Sequence, residues 1–172
     1  VVRVETVVPN RLKIELDYGT DLIKAPEMKL AGTLSSRWLH GAKAPGLRAT
    51  VQMKLKPAPT TFAGFDDYTF DDPTSRFSSE LTDLFEGTLD DEGKVAIDER
   101  LYVPDGAPGM LKASFVTRVF EPSGAASIDQ GSVDVSPHER YIGIKVPKGD
   151  AARQMLLTDV DHPVDIVAVD GD

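Results

Sequence analysis

The chain has 172 residues, of which 41% are hydrophobic and 27% charged, as expected for one globular domain or one domain and part of another. A formal net charge of -9 argues against nucleic acid or an anionic membrane as a partner, because phosphate contacts need a Lys/Arg-rich surface. The absence of cysteine excludes disulfides, thiolate catalysis and zinc–thiolate sites. No apolar run has the length of a membrane helix, and no signal peptide is visible.

The first strand-like segment is Val1 to Val8, rich in β-branched residues, and the second is Arg11 to Asp17, with an apolar residue at every second position. Tyr18 to Met28 contains glycine and proline and is predicted to be a connection. Lys29 to His40 is predicted to be the next strand, with a bulge or a close backbone approach at Gly32. Because the chain starts at Val1 without Met, we expect a piece of a longer protein.

The strongest local pattern is Trp38 to Pro57, which predicts a strand end, a tight connection and a long second strand paired with the first. The glycines and proline between them supply the turn chemistry. From Leu47 the second strand alternates, which is typical of a half-buried antiparallel strand. Its predicted core face consists of Leu47, Ala49, Val51, Met53 and Leu55.

The middle of the chain begins with a long irregular segment, Pro57 to Pro73. In the next segment, Thr74 to Leu89, Ser78 onwards could open a short helix, but we favour a strand over Leu84 to Leu89. The run Asp90 to Gly93 then predicts a hairpin turn into a further strand. That strand has apolar residues at Val95, Ile97, Leu101 and Val103.

The remaining strands are predicted at Met110 to Phe120, with both faces partly covered, and at Ala125 to Val135 after a Pro-Ser-Gly turn. Ser136 to Glu139 is predicted to be a linker. Two further strands, Tyr141 to Val146 and Pro163 to Val169, follow it, joined by the helix-compatible stretch DAARQMLL.

Some eight or nine strands without a convincing long helix predict an all-β fold, an antiparallel β-sandwich of the immunoglobulin/fibronectin-III type. We assign residues 1–137 to this sandwich and residues 138–172 to a linker and the first strands of a following domain. Because exposed strand edges pair with whatever is available, we expect this tail to pack onto the sandwich or to pair with a neighbouring molecule.

Candidate chemistry is sparse. His40, His138 and His162 each lie beside a turn or a proline, and no two are at ligand spacing. The acidic clusters at Asp66–Asp67, Asp71–Asp72, Asp90–Glu92 and Asp159–Asp165 do not match a calcium-loop pattern, so turn chemistry and a solvated surface are the favoured interpretation. We therefore predict no catalytic, cofactor-binding or metal-binding residues, no cofactor and no enzyme activity.

Aromatic and acidic residues alternate in the long irregular segment, at Phe62, Phe65, Tyr68 and Phe70. One interpretation is a surface that contacts a protein or a sugar. The other, which we favour, is that these rings hold the segment against the sandwich. Trp38 is likewise predicted to pack on the core or the sheet rather than to bind a ligand.

Several blocks taken together resemble the bacterial alpha-2-macroglobulin family along essentially the whole chain. They are VRVETVVPNRLKIEL, WLHGAKAPGLRATVQMKLKP, FEGTLDDEGKVAI and YIGIKVPKGD, with APGMLKASFVTRVFEPSGAAS (Ala107 to Ser127) the most specific. The resemblance implies one macroglobulin-like domain and the start of the next. The family's thioester needs a Cys-x-Glu-Gln motif, which this cysteine-free chain lacks, and no bait segment is identifiable.

The implied role is a structural scaffold module of a periplasmic, broad-spectrum protease inhibitor, whose full-length form traps proteases and is often a lipoprotein anchored to the inner membrane. The implied partners are neighbouring domains of the same chain and, through the full-length protein, target proteases, without direct membrane insertion by this segment. The alternative is an immunoglobulin-like, protein- or glycan-binding accessory module of a surface protein, with Phe62 to Phe70 as its contact site.

Overall fold

The computed structural model describes residues 10–150 and 155–171, so the predicted strand Val1–Val8 and residues 151–154 of the DAARQMLL stretch lie outside the described residues. The described residues form ten strands. They are β1 (Leu12–Asp17), β2 (Leu22–Lys24), β3 (Lys29–Trp38), β4 (Arg48–Pro57), β5 (Thr82–Thr88), β6 (Lys94–Arg100), β7 (Leu111–Phe120), β8 (Ala126–Ser136), β9 (Arg140–Lys145) and β10 (Asp165–Asp170). Within those ranges, no helix is long and apolar enough to cross a membrane.

Two sheets form the body of the molecule, a three-stranded sheet in the order β1-β3-β6 and a five-stranded sheet in the order β2-β8-β7-β4-β5. All their strand pairs are antiparallel except β2 and β8, which run parallel. The predicted all-β sandwich is confirmed. Strand β2 is an error in the sequence prediction, which treated Tyr18 to Met28 as a connection only; a three-residue strand is too short to show a period.

The core lies between the two sheets and consists of aliphatic side chains and one phenylalanine. The predicted core face of β4, from Leu47 to Leu55, is buried at every second position, as is the alternating face of β7 that includes Phe115. On β7 the opposite face, with Val116 and Phe120, is half-buried, so both faces are covered as predicted. The most completely buried large apolar side chains of the core are Leu12, Ile23, Leu30, Leu34, Val51, Leu55, Ile97, Leu111, Phe115, Val119 and Val135.

The predicted pairing within Trp38 to Pro57 is wrong, because β3 and β4 belong to different sheets. The chain turns back at Gly41, whose N–H donates to the Trp38 carbonyl at 2.8 Å, and then crosses the sandwich with Ala44 fully buried. The physical reason is that alternation defines which face of a strand is buried, not which strand lies beside it. In Greek-key sandwiches, consecutive strands commonly change sheets.

The turn at Asp90 to Gly93 has the predicted chemistry but not the predicted topology. The Asp90 carboxylate accepts from the backbone N–H groups of Glu92 and Lys94 at 2.9 and 2.8 Å. The flanking strands β5 and β6 nevertheless pair with β4 and β3 in opposite sheets, so the segment is an inter-sheet turn and not a hairpin. The strand predicted over Leu84 to Leu89 is confirmed as β5 and begins two residues earlier.

Close backbone packing ties β3 to the end of β1. A Cβ on Gly32 would collide with the carbonyl of Asp17, which confirms the predicted close approach. Between the sheets, the Ser127 hydroxyl accepts from the N–H groups of Arg11 and Leu12 at 3.0 and 3.1 Å, and these bonds link β1 to β8.

The two strands predicted near the C-terminus are confirmed as β9 and β10, which pair with each other from Arg140–Asp170 to Lys145–Asp165. This hairpin packs on the rest of the chain, which is the first of the two alternatives expected for the tail. It contacts the loop between β4 and β5. The division into domains at residues 137 and 138 stays a prediction.

Candidate functional site

The most distinctive contact outside the core joins the long β4–β5 loop (residues 58–81) to the β9–β10 hairpin. We name it the loop–hairpin interface and define it by its aromatic and contact residues. These are Phe62, Phe65, Tyr68 and Phe70 of the loop, and Tyr141 and Gly143 of β9.

Aromatic rings fill the interior of this interface. Phe62 contacts Phe70 edge-on at a centroid distance of 4.8 Å and Tyr141 at 5.3 Å. Phe70 and Tyr141 are only 7% and 3% exposed, although neither belongs to the core cluster of the sandwich. Aromatic pairs in such offset and edge-to-face geometry add to the free energy gained from burial alone. The interface is therefore a small second core, separate from that of the sandwich.

Backbone hydrogen bonds fix the register of the contact. The N–H of Thr69 donates to the Ile144 carbonyl at 2.9 Å, and the N–H of Ile144 donates to the Thr69 carbonyl at 3.0 Å. Thr69 thereby extends the hairpin sheet by one antiparallel bridge on the β9 side. A register slip by one residue would turn Tyr141 and Gly143 away from the loop, so this bridge specifies which side chains meet the rings.

A polar pair closes one side of the same contact. The Lys145 ammonium lies 3.3 Å from the Asp67 carboxylate and 5.6 Å from the centroid of the Tyr68 ring. Both charged side chains are partly exposed, so the pair contributes orientation more than stability.

The absence of a side chain at Gly143 is what allows the Phe70 ring to lie directly against β9. A Cβ at Gly143 would stand 2.5 and 2.6 Å from two carbons of the Phe70 ring, closer than real Cβ contacts. The sequence YIGIKV thus contains glycine in a strand because a ring from another segment occupies the space.

A hydrogen-bond network holds the loop to the sandwich. Asp71 accepts from both the N–H and the hydroxyl of Thr60, at 3.2 and 2.5 Å, and the Thr60 hydroxyl accepts from the N–H of Met110 at 2.7 Å. The N–H of Asp72 donates to the Pro108 carbonyl at 2.7 Å. Because Thr60 is 4% exposed and fully bonded, the loop is an ordered element that connects the β7 end of the sandwich to the hairpin.

Two groups at or near the interface have shifted pKa values. Burial raises the pKa of the Tyr141 hydroxyl above its ordinary value, against the opposing effect of its hydrogen bond with the Ser136 hydroxyl at 2.9 Å. The hydrogen bonds from the Thr74 hydroxyl and N–H lower the pKa of the exposed Asp72 carboxyl. Tyr141 is thus held neutral, as a ring inside an aromatic cluster requires.

The three histidines lie apart, each with a different neighbour. His40 stacks on Trp38 at 6.2 Å, His138 contacts Tyr141 edge-on at 5.5 Å, and the His162 ring nitrogen lies 2.9 Å from the Leu157 carbonyl. In residues 10–150 and 155–171, no group of three His, Asp or Glu side chains could hold a metal ion. Trp38 is half-buried against the core cluster, as predicted.

The acidic clusters divide between turns and ion pairs. Asp72 and Asp90 accept hydrogen bonds from residues two to four positions later, as the turn interpretation predicts. Asp71 does not fit it, because its carboxylate accepts from Thr60, eleven residues earlier in the chain. Asp67 pairs with Lys145, and Glu92 pairs with Lys43 at 2.6 Å.

The favoured interpretation of the aromatic run is corrected in one respect. The rings hold the loop, but they pack on β9 of the hairpin and not on the sandwich core. Sequence reasoning missed Tyr141 and Gly143 as their partners and Thr60 as the anchor of the loop. The glycine between two isoleucines in YIGIKV was the one local signal that something approaches β9 closely.

Together these observations define an all-β sandwich module in ordered contact with the hairpin that follows it, with the register of the contact fixed by a backbone bridge. The chain belongs to the bacterial alpha-2-macroglobulin family: the profile of the bacterial alpha-2-macroglobulin MG5 domain matches residues 10–137. This membership confirms the resemblance drawn from the sequence blocks.

A curated relative, an alpha-2-macroglobulin homolog of Yersinia pestis, is 27% identical over 172 residues, which are 98% of this chain but only 8% of the relative. The chain therefore spans a small part of that protein.

Solved structures share the fold. Escherichia coli alpha-2-macroglobulin activated by porcine elastase superposes with a TM-score of 0.63 at 21% identity, over 95% of this chain and 14% of that one. Salmonella alpha-2-macroglobulin reacted with methylamine gives 0.63 at 20% identity, over 96% and 11%.

Proposed function

We propose that this chain is a structural scaffold module of a bacterial periplasmic protease inhibitor of the alpha-2-macroglobulin type. The observation that carries the proposal is the match of the MG5 domain profile to residues 10–137. The whole protein traps proteases; this module supplies shape and contacts between domains, and no reaction is assigned to it. The parent protein is periplasmic and lipid-anchored in the inner membrane.

The loop–hairpin interface gives the scaffold role a physical basis. Residues 138–172 lie outside the MG5 match, and we assign them to the linker and first strands of the following macroglobulin-like domain. The buried rings, the Thr69–Ile144 bridge and the Thr60–Asp71 network then fix that domain's first strands to the MG5 sandwich. Such an ordered contact transmits a displacement of one domain to the next, which a flexible linker cannot do.

Target proteases are the proposed partners of the full-length protein. Two of the structurally similar structures are of Escherichia coli alpha-2-macroglobulin, one activated by porcine elastase and one by trypsin, so those two enzymes are suitable probes.

Protease retention tests the proposal. The full-length parent protein is incubated with elastase or trypsin and separated by gel filtration, and protease activity on a small peptide is followed across the fractions. We expect protease activity on the small peptide to co-elute with the parent. The same fractions should not cleave a large protein substrate. A parent that retains neither protease and leaves the large-substrate activity unchanged would overturn the inhibitor role. The 172-residue chain alone is the control and should retain nothing.

The alternative role as a glycan- or protein-binding accessory module loses support from the geometry. Its proposed contact site was the aromatic run, but Phe70 is 7% exposed and its neighbours are half-buried against one another and Tyr141. Rings that are packed in this way are not available as a flat binding surface. A glycan array with the 172-residue chain checks this directly, and we expect no signal above background.

A further inference from the structure

The outer face of the five-stranded sheet has an unusual charge. Its central strands β4 and β7 are ten residues long and bury alternate side chains, so each points five side chains outward. Of these ten, five are Lys or Arg and none is Asp or Glu, although the chain has 28 acidic and 19 basic residues. The five cations are Arg48, Lys54, Lys56, Lys112 and Arg118. A chain with a net charge of -9 therefore has one distinctly cationic face.

Acidic side chains of the same chain neutralise only part of this charge. Arg48 pairs with Glu86 of β5 at 3.1 Å, and Lys112 pairs with Asp134 of β8 at 3.3 Å. In the part of the chain that the structure describes, three of the five cations form no ion pair. They are Lys54, Lys56 and Arg118. The register also places Lys56 directly opposite Lys112, and like charges in that position destabilise a sheet unless an anion offsets them.

Apolar side chains lie between the cations on the same face. Val116 and Phe120 of β7 are half-buried, and Ile128 of β8, which lies opposite Arg118, is 42% exposed. The Arg48 guanidinium lies 3.9 Å from the centroid of the Phe120 ring. An apolar centre with charged groups around it is the usual composition of a contact between proteins.

The face is large enough for a partner that is not tethered to the chain. Strands β5, β4, β7 and β8 lie side by side, and at about 4.8 Å between strands and about 3.3 Å per residue they offer on the order of 600 Å² of flat area. Stable complexes bury about 600–1,000 Å² of accessible surface per partner. The area therefore matches a contact between two separate proteins.

The mixed composition of the face favours a folded acidic protein over other partners. Nucleic acid and anionic lipid present phosphate groups, which leave Val116 and Ile128 without an apolar contact, and the chain's net charge of -9 repels both. A second copy in a symmetric contact would bring Lys54 and Lys56 against the same cations. A protein surface with carboxylates around an apolar centre complements both components of the face.

We propose that the outer face of the five-stranded sheet binds a separate protein through a surface that carries Asp and Glu around an apolar centre. Carboxylates of this partner pair with Lys54, Lys56 and Arg118, and its apolar groups contact Val116 and Ile128. The contact lies outside the loop–hairpin interface, and it does not rest on the proposed role in protease retention.

Photo-crosslinking in the full-length parent identifies what covers the face. The photoreactive residue p-benzoylphenylalanine replaces Thr50 of β4 or Ser114 of β7, two small outward side chains among the cations. The parent is irradiated in the cells that make it, and adducts are identified by peptide mass spectrometry. We expect the same separate protein at both positions. The control position is Thr33, exposed on the three-stranded sheet, and it should give no adduct with that protein.

Charge reversal then tests how that protein is held. The purified partner is titrated with the full-length parent by isothermal calorimetry, for the wild type and for Lys54→Glu combined with Lys56→Glu. We expect the Kd to rise at least about 10-fold, because two attractive contacts become repulsive. Lys13→Glu combined with Arg37→Glu is the matched control, with the same change of charge on exposed positions of the other sheet. Its Kd should change less than about two-fold, because charges beyond a Debye length of about 8 Å are screened.

Several results would overturn the proposal. Adducts confined to the parent's own polypeptide, to a second copy or to lipid would do so, as would the absence of an adduct at both Thr50 and Ser114. An equal loss of affinity in the two double variants would also do so, because the partner would then respond to net charge and not to this face. Neither measurement uses a protease, so failure of this proposal leaves the inhibitor role intact, and failure of protease retention leaves this proposal intact.

Discussion

The sandwich core joins aliphatic residues of two sheets, whereas the loop–hairpin interface joins the rings of an irregular loop to one face of a two-stranded sheet. In the core, strands of ten residues such as β4 and β7 each bury alternate side chains, and nearly all contacts are apolar. In the interface, two well-buried rings, one backbone bridge and one ion pair make the contact.

This difference indicates that the two regions open separately. An isolated two-stranded hairpin is marginally stable in water, so β9–β10 depends on the loop for its order. The sandwich has a core cluster to which no residue of the hairpin belongs, so we expect it to stay folded when the hairpin opens. We therefore expect the interface to open locally, with a smaller free energy than global unfolding. The following predictions test that order, from the largest expected effect to the smallest.

The largest effect should come from the core. Phe115 is 1% exposed and lies against Tyr18 at a ring distance of 5.1 Å, so Phe115→Ala leaves a cavity between the sheets. We expect it to lower the free energy of unfolding by about 3–5 kcal/mol, measured by urea denaturation. Tyr102→Ala, at a ring that is 77% exposed, is the control and should change it by no more than about 0.5 kcal/mol. A loss below about 1 kcal/mol for Phe115→Ala would contradict the description of this core.

Much of the sandwich could be predicted from the sequence because its physics is local. The alternation in β1, β4 and β7 identified their buried faces correctly, since a period of two is a property of each strand alone. The alternation of a strand does not show which other strand lies beside it in the sheet. This is why Trp38 to Pro57 and the turn at Asp90 were predicted as hairpins, although both connections cross between the sheets.

The loop–hairpin interface was beyond such prediction because its partners are distant in sequence and follow no period. The run from Phe62 to Phe70 signalled a contact, but the same rings would suit a sugar, a protein or the sandwich. Only the fold brings Phe70 onto Gly143 and Phe62 onto Tyr141. A family resemblance supplied the class of protein, and it likewise did not identify these residues.

Removal of the central ring of the interface should release the hairpin and leave the sandwich folded. Phe70→Ala removes a ring that contacts Phe62, Phe65 and β9. We expect the opening free energy of the hairpin to fall by about 3 kcal/mol, the lower end for Phe→Ala. Amide hydrogen exchange at Ile144 should accelerate roughly 100-fold, because every 1.4 kcal/mol is a factor of ten.

The sandwich provides the internal control for this variant. Amides of β4 and β7, whose strands pair with each other along their whole length, should exchange at unchanged rates. If exchange accelerates equally in β7 and β9, the sandwich and the hairpin open together, and the expectation that they open separately is wrong.

A smaller effect is expected when bulk is added on the β9 side. Gly143→Ala forces its new methyl group against the Phe70 ring, and overpacking of this kind costs about 1–3 kcal/mol. The measurement is again hydrogen exchange at β9. In a Phe70→Leu background the same substitution should cost less, because the smaller side chain leaves room. Equal costs in both backgrounds would show that Phe70 is not the residue that requires the glycine.

The smallest effect should come from the hydroxyl of Tyr141. Tyr141→Phe keeps the ring but removes the hydrogen bond to Ser136, whose side chain is fully buried. We expect a loss of about 1 kcal/mol in the free energy of unfolding or of hairpin opening at pH 7. Tyr102→Phe, at the exposed ring, should leave both quantities unchanged at that pH.

The pH dependence of this variant gives a second test of the same contact. Burial raises the pKa of Tyr141 in the folded protein above the value of about 10 in the unfolded chain. The folded state therefore holds this proton more tightly, and the stabilisation is fully present below about pH 10 and is lost as the pH rises beyond it. Tyr18, whose pKa burial and the nearby Asp129 also raise, adds a loss of the same sign in the sandwich. Tyr141→Phe should thus reduce the stability that β9 loses as the pH rises, whereas the loss caused by Tyr18 should remain. The difference in free energy between wild type and variant should therefore become smaller above pH 10. A free-energy difference that stays constant across this range would contradict the prediction. It would mean that Tyr141 has the same pKa in the folded and the unfolded chain.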